Sequence, residues 1–129
     1  MGNEELDTKY VHFELSDNIL LGTYKSGSEI TIELAKEMVE SRLEISKGKS
    51  YPLLIDGRGL KSIDKKSRDY FSSEEGRRGI AAVALLAGSV FTSFIGNFFL
   101  KISYDKPTFP TRLFTEESTA LKWLEQFKD

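Results

Sequence analysis

The chain of 129 residues is 40% hydrophobic and 29% charged, which fits one domain with a single core and argues against global disorder. Its 18 basic and 20 acidic residues give a formal net charge of -2, so a protein that covers nucleic-acid phosphates with a broad basic face is not expected. Cysteine is absent, which excludes disulfides, thiolate nucleophiles and thiolate metal ligands and is typical of a reducing, cytoplasmic compartment.

The first predicted elements are a tail and a hairpin. Residues 1–9 are polar and acidic and lack the apolar core of a secretion signal or membrane anchor, so we predict a flexible tail. A single domain is predicted over residues 10–128. Apolar and polar side chains alternate in Tyr10–Leu15, and the β-rich run Ile19–Tyr24 follows after a short polar turn. This pattern predicts an antiparallel hairpin.

Two helices and two buried strands are predicted next. Thr31 caps a helix whose apolar residues recur at helical spacing, and Asp64 caps a second helix. Tyr51–Asp56 and Ile80–Ala87 are almost continuously apolar, which is typical of strands covered on both faces. We expect these two strands to lie side by side and parallel in the interior of the sheet.

A third helix, rich in phenylalanine, is predicted to begin at Ser89. Its apolar stripe is wider than the ~100° that a helix needs to face one sheet. Small residues one turn apart lie beside the stripe and would let another backbone approach closely. Part of this helix is therefore predicted to be a homodimer surface or an apolar-ligand surface, formed by Phe91, Thr92, Phe94, Ile95, Gly96 and Phe99.

A strand and a helix complete the predicted fold. Phe109–Phe114 contains Pro110, which cannot donate a ladder hydrogen bond, so this strand is placed at a sheet edge or begins at the proline. Thr115 is the predicted cap of the last helix. The order is β-β-α-β-α-β-α-β-α. It predicts an α/β fold with a mainly parallel five-stranded sheet, an antiparallel N-terminal strand and helices packed on the sheet.

The candidate site lies at the carboxyl edge of the sheet, where α/β proteins usually bind ligands or partners. The candidate partner-binding residues are Asp56, Arg58, Asp64, Lys65, Lys66 and Ser67. A purely local alternative is that Asp56 pairs with Arg58 and that Asp64 caps the helix. Two lysines at a helix N-terminus are unfavourable unless an anion approaches, which favours a binding role.

This turn and the order of the elements resemble the STAS domains of bacterial anti-sigma factor antagonists, in which a strand ends in Asp and an Asp-Ser pair begins the next helix. A closer resemblance is to a bacterial branch of uncharacterised SpoIIAA-like proteins, related by fold to the CRAL-TRIO lipid-transfer domain. Segments similar to PLLIDGRGLKSID, VALLAGSVFTSFIGNFFLK and PTRLFTEESTALKWL recur there in this order. The resemblance implies a SpoIIAA-like fold and a role in binding a protein.

The sequence departs from the antagonists at their regulatory serine. When Asp64 is aligned with the family's Asp, Lys65 stands where that serine would be phosphorylated, so the kinase-driven switch is not carried over. Ser67 lies two residues later, about 200° round the helix. We do not expect Ser67 to be phosphorylated.

The sequence does not predict an enzyme, a metal site or a cofactor. His12, the one histidine, lies on the polar side of the first predicted strand, where an exposed imidazole is commoner than a general base. Gly88-Ser89 lacks the flanking pattern of a phosphate-binding loop. We predict a cytoplasmic, non-enzymatic regulatory or adaptor module that binds a protein partner in signalling and forms a homodimer. The alternative is a small apolar-ligand or lipid-binding protein, implied by the fold resemblance and the phenylalanine-rich helix.

Overall fold

Alternating strands and helices make up the structure, a computed structural model that describes residues 4–86 and 109–128. In these ranges the strands are β1 Glu4–Asp7, β2 Val11–Ser16, β3 Ile19–Tyr24, β4 Ser28–Ile30, β5 Tyr51–Asp56, β6 Leu60–Ile63, β7 Ile80–Leu86 and β8 Thr111–Phe114. The helices are α1 Ile32–Ser46, α2 Lys65–Ser72, α3 Glu74–Arg77 and α4 Glu117–Leu124, the last followed by a 3-10 turn at Glu125–Phe127. The predicted third helix, with the dimer or apolar-ligand surface assigned to it, lies outside the described residues.

The main sheet has six strands in the order β1-β2-β3-β5-β7-β8. β2 is antiparallel to both of its neighbours, whereas β3, β5, β7 and β8 run parallel to one another. The predicted mixed α/β fold with a mostly parallel sheet is therefore confirmed. β5 and β7 are adjacent, with Leu54 opposite Ala84, as their continuous apolar sequences predict.

The number of strands differs from the prediction of five. β1 forms within the segment predicted to be a tail and pairs with β2, where Leu6 lies opposite Phe13. β4 and β6 form a separate two-stranded parallel sheet. These additional strands have three or four residues each, too few for an alternating pattern to be recognised in the sequence.

Three of the predicted N-cap residues lie within the described residues, and two of them make a capping hydrogen bond. The side chain of Thr31 accepts a hydrogen bond from the Leu34 amide, and that of Asp64 accepts one from the Ser67 amide. The prediction that Thr115 caps the last helix is wrong. Glu116 occupies the cap position of α4, and its side chain makes no capping hydrogen bond.

The sheet is covered by helices on both faces. Val83 and Leu85 of β7 pack in the cluster that includes residues of α1 and α2. Ala84 and Leu86 alternate with them and pack in the second cluster, which includes Ala120 and Leu124 of α4. Because successive side chains of a strand point to opposite faces, a strand covered in this way is apolar throughout its length.

Candidate functional site

Close backbone contact fixes the carboxyl edge of the sheet, which we call the rim (Asp56–Gly59, Lys61 and Asp64–Ser67). The turn after β5 packs against the loop that follows β3. The Gly59 carbonyl accepts a hydrogen bond from the Gly27 amide at 2.8 Å, and a Cβ at Gly59 would lie only 2.5 Å from the Tyr24 carbonyl oxygen. Only glycine permits this approach.

Asp56 and Arg58 form a closed ion pair at the rim. The Arg58 Nε donates to Asp56 Oδ1 at 3.0 Å, and its Nη2 donates to Oδ2 at 2.8 Å. Burial raises the pKa of Asp56, but the hydrogen bonds and charge of Arg58 lower it more, so the pKa lies below its ordinary value. The local pairing that the sequence offers as an alternative is therefore present.

Asp64 and Ser67 form a second local unit. The Asp64 carboxylate accepts hydrogen bonds from the Ser67 amide at 2.8 Å and from the Ser67 hydroxyl at 2.5 Å, and these bonds lower the pKa of Asp64. The Ser67 hydroxyl also lies 3.3 Å from the Ile30 carbonyl oxygen, and Ser67 is 0% exposed. Ser67 therefore cannot contribute to a partner-binding surface, which corrects its assignment to that surface.

The lysines of the rim point to solvent. Lys65 pairs with Asp69 at 2.8 Å, one turn further along α2. Lys66 is exposed and makes no ion pair with any residue in the described ranges. Lys61 on β6 is also exposed, and the sequence interpretation had left it out. Besides Lys61, the rim thus carries three exposed cations, Arg58, Lys65 and Lys66, two of which are paired with nearby carboxylates.

A cavity lies behind the rim, between the sheet and the layer of α1 and α2. It measures about 80 Å³. A single water molecule needs roughly 10–15 Å³ of cavity volume. Because a water has one non-hydrogen atom, the cavity has room for about five to eight such atoms. Its wall is almost wholly apolar and is formed mainly by Val11, Phe13, Met38, Val39, Leu53, Ile55, Leu60, Ile63, Phe71, Ile80, Val83, Leu85 and Phe109.

Gly22 is part of the cavity wall. It lies in β3 opposite Phe13 of β2 and lines the cavity, so β3 contributes no side chain at this point. A Cβ at Gly22 would lie 3.1 Å from the Phe13 ring. A glycine inside a strand is a recognised sign of a bulge or of close approach by another group. The sequence carries this signal, since Gly22 interrupts the β-rich run Ile19–Tyr24.

Among the described residues, three polar side chains also line the cavity: Tyr24, Arg42 and Arg68. Arg42 is 5% exposed and donates from Nη1 to the Arg78 carbonyl at 2.6 Å and from Nη2 to the Gly76 carbonyl at 2.9 Å. Burial lowers the pKa of Arg42 to about 10, so the guanidinium remains charged at neutral pH. Burial raises the pKa of the Tyr24 hydroxyl. The sequence interpretation missed Arg42, because an arginine on an amphipathic helix is usually exposed.

His12 lies away from the cavity, in an ionic network on the outer strands. Its Nδ1 is 2.9 Å from Asp7 Oδ1 and its Nε2 is 3.1 Å from Glu5 Oε1. Hydrogen bonding to Asp7 raises the pKa of His12, which favours the protonated ring. Ligand atoms of Glu5, His12 and Glu14 lie within 4.8 Å of one another, a spacing compatible with a divalent cation. The proton and the ion would compete for the same nitrogen.

No helix within residues 4–86 and 109–128 is long and apolar enough to cross a membrane.

A solved structure shares the fold. The chain is similar to the crystal structure of an uncharacterised protein of the DUF3478 family with a SpoIIAA-like fold from Shewanella loihica PV-4. The TM-score is 0.58 at 16% sequence identity, and the match covers 95% of this chain and 92% of that one. The predicted SpoIIAA-like fold is thereby confirmed. No curated protein matches the sequence.

The family is shown by the sequence itself. Residues 13–128 match the family described as Domain of unknown function (DUF7793), a range that includes all the described elements from the second half of β2 to the 3-10 turn. The chain belongs to the DUF7793 family.

Proposed function

We propose that this protein is a non-enzymatic binding protein that holds a small apolar molecule in the cavity between the sheet and α1 and α2. The cavity of about 80 Å³ is the observation that carries the proposal. Protein interiors are packed as closely as organic crystals, and voids larger than a water molecule are few. The surrounding side chains are themselves well buried, for example Leu53 at 3% and Val83 at 0% exposure. The space is therefore a feature of the core.

The volume limits the ligand. Room for about five to eight non-hydrogen atoms is too little for a complete long acyl chain. A short-chain or single-ring compound fits, so the ligand class is narrower than the lipids that transfer domains of related fold carry.

Filling the cavity tests the proposal. Binding of toluene and 1-pentanol is measured by amide chemical shifts for the wild type, Val83→Ile and Val83→Phe. The two substitutions add increasing volume at a cavity wall, so affinity should fall in that order and vanish with phenylalanine. Leu113→Phe adds the same ring at a side chain that is 37% exposed and outside the cavity, and it should bind as the wild type does. Absence of binding to the wild type, or undiminished binding to Val83→Phe, would contradict the proposal.

A second candidate function is docking of a protein partner on the rim, as in a regulatory or adaptor module similar to the anti-sigma factor antagonists. Two features favour it. The Arg58 side chain is 54% exposed despite its pairing with Asp56. Lys66 is exposed at the N-terminal turn of α2, where the helix dipole disfavours a cation.

Charge reversal at Arg58, Lys65 and Lys66 tests this docking. Any partner that co-purifies with the wild type should be lost from the triple variant and retained by a control with Lys36→Glu and Lys122→Glu, two exposed lysines on α1 and α4. Retention by the triple variant excludes the rim as the docking surface. The homodimer is a separate proposal, and sedimentation that shows only monomer at high concentration would remove it.

A further inference from the structure

We propose that the ligand of the cavity carries a carboxylate, and that this group binds the guanidinium of Arg42. This inference rests on the proposed binding function and adds the chemical class of the ligand. Arg42 would be the anchoring residue, and the apolar wall would take the rest of the molecule.

Arg42 is a buried cation with incomplete compensation. It is 5% exposed, and within residues 4–86 and 109–128 its guanidinium donates hydrogen bonds to the backbone carbonyls of Gly76 and Arg78. No carboxylate in residues 4–86 or 109–128 forms an ion pair with it. Glu75 acts on Arg42 only as a nearby charge and pairs with Arg78 at 2.8 Å. A buried charge is costly unless a counter-charge and hydrogen bonds offset the loss of water.

Within the described residues, some N–H groups of Arg42 have no acceptor and remain for a ligand. A guanidinium has five N–H groups, and the two carbonyls use one on each Nη. The remaining N–H groups can bind a carboxylate, the planar anion that matches the guanidinium fork. The Gly76 and Arg78 carbonyls hold the group in place, so little side-chain freedom would be lost on binding.

The charges of the wall favour an anion. Of the described residues that line the cavity, Arg42 and Arg68 are the cations, and none is an Asp or Glu. Arg68 is the weaker candidate, because it has further partners besides the Ile63 carbonyl at 2.9 Å. A neutral apolar ligand would leave the Arg42 charge uncompensated. With the volume available, the ligand class is a short-chain monocarboxylate.

Pentanoate and pentanamide provide a matched pair of probes, since they have the same shape and number of non-hydrogen atoms and differ in charge. Calorimetry at neutral pH should give an affinity for pentanoate about tenfold or more above that for pentanamide. Arg42→Gln should remove this preference. Arg112→Gln, which removes an equal charge from an exposed side chain on β8 that does not line the cavity, should retain it.

Arg42 also donates hydrogen bonds to the carbonyls at the end of α3, so its replacement affects folding as well as binding. A second measurement therefore uses the wild type alone. In the wild type, the ¹⁵Nε resonance of Arg42 should shift on addition of pentanoate and not on addition of pentanamide. Equal binding of both probes would overturn the carboxylate inference and leave the proposed function standing. Binding of neither probe, nor of toluene, would overturn both. A pentanoate preference that persists in folded Arg42→Gln, without a shift of the Arg42 resonance, would overturn the assignment to Arg42.

Discussion

Replacing Gly59 with alanine tests whether two backbone segments in contact hold the rim in place. The added Cβ would lie 2.5 Å from the Tyr24 carbonyl oxygen, 2.9 Å from the Lys25 carbonyl carbon and 3.0 Å from its oxygen. Overpacking typically costs about 1–3 kcal/mol. The contacted atoms belong to the backbone and cannot rotate away as a side chain does. We therefore expect a loss near the upper end, about 3 kcal/mol in the free energy of unfolding.

Urea denaturation followed by circular dichroism measures this loss. Gly48→Ala is the control, because Gly48 has a φ of 77° but nothing within 4 Å of an added Cβ. It should cost only the strain of the left-handed conformation, roughly 1–2 kcal/mol. If Gly59→Ala destabilises the protein no more than Gly48→Ala does, the close contact at the rim is refuted.

Three further predictions concern ionisable or buried groups. Because the pKa of Asp56 is below its ordinary value, its ionised form stabilises the fold above about pH 4, and this contribution is lost as the pH falls through the lowered pKa. The difference in unfolding free energy between the wild type and Asp56→Asn should thus be larger at neutral pH than in strong acid, and an unchanged difference would contradict the ion pair. An NMR titration should give His12 a pKa above the roughly 6.5 of a free imidazole, and Asp7→Asn should lower it, because Asp7 hydrogen bonds to the ring. Ser67→Asp should destabilise the protein by about 3 kcal/mol or more, because it places a charge where the side chain is 0% exposed. Ser62→Asp changes an exposed residue and should have little effect, so equal stability of the two variants would show that Ser67 is accessible.

Much of the fold could be predicted because local pattern determines it. The apolar runs of β5 and β7 are continuous since both faces are covered, and this indicated that the two strands are neighbours in the sheet. The caps Thr31 and Asp64 act on amides three residues away, so short-range sequence contains the whole interaction. β1, β4 and β6 were missed, since strands of this length are stabilised by their partners and carry no recognisable pattern.

The candidate site likewise contains local contacts that the sequence indicates and features that only tertiary packing forms. The Asp56–Arg58 pair and the Asp64 cap join residues two or three positions apart, and the sequence offered both as the local alternative. The buried Ser67 hydroxyl contacts the carbonyl of Ile30, which is 37 residues away in the chain. The cavity and the interior position of Arg42 likewise arise where strands and helices distant in the chain pack together. The sequence by itself thus determined the order of the described elements apart from β1, β4, β6 and the break between α2 and α3, together with the central parallel pair and the local hydrogen bonds. Tertiary packing alone decided which polar groups are buried and where space remains, because burial is a property of the assembled layers and of no single segment.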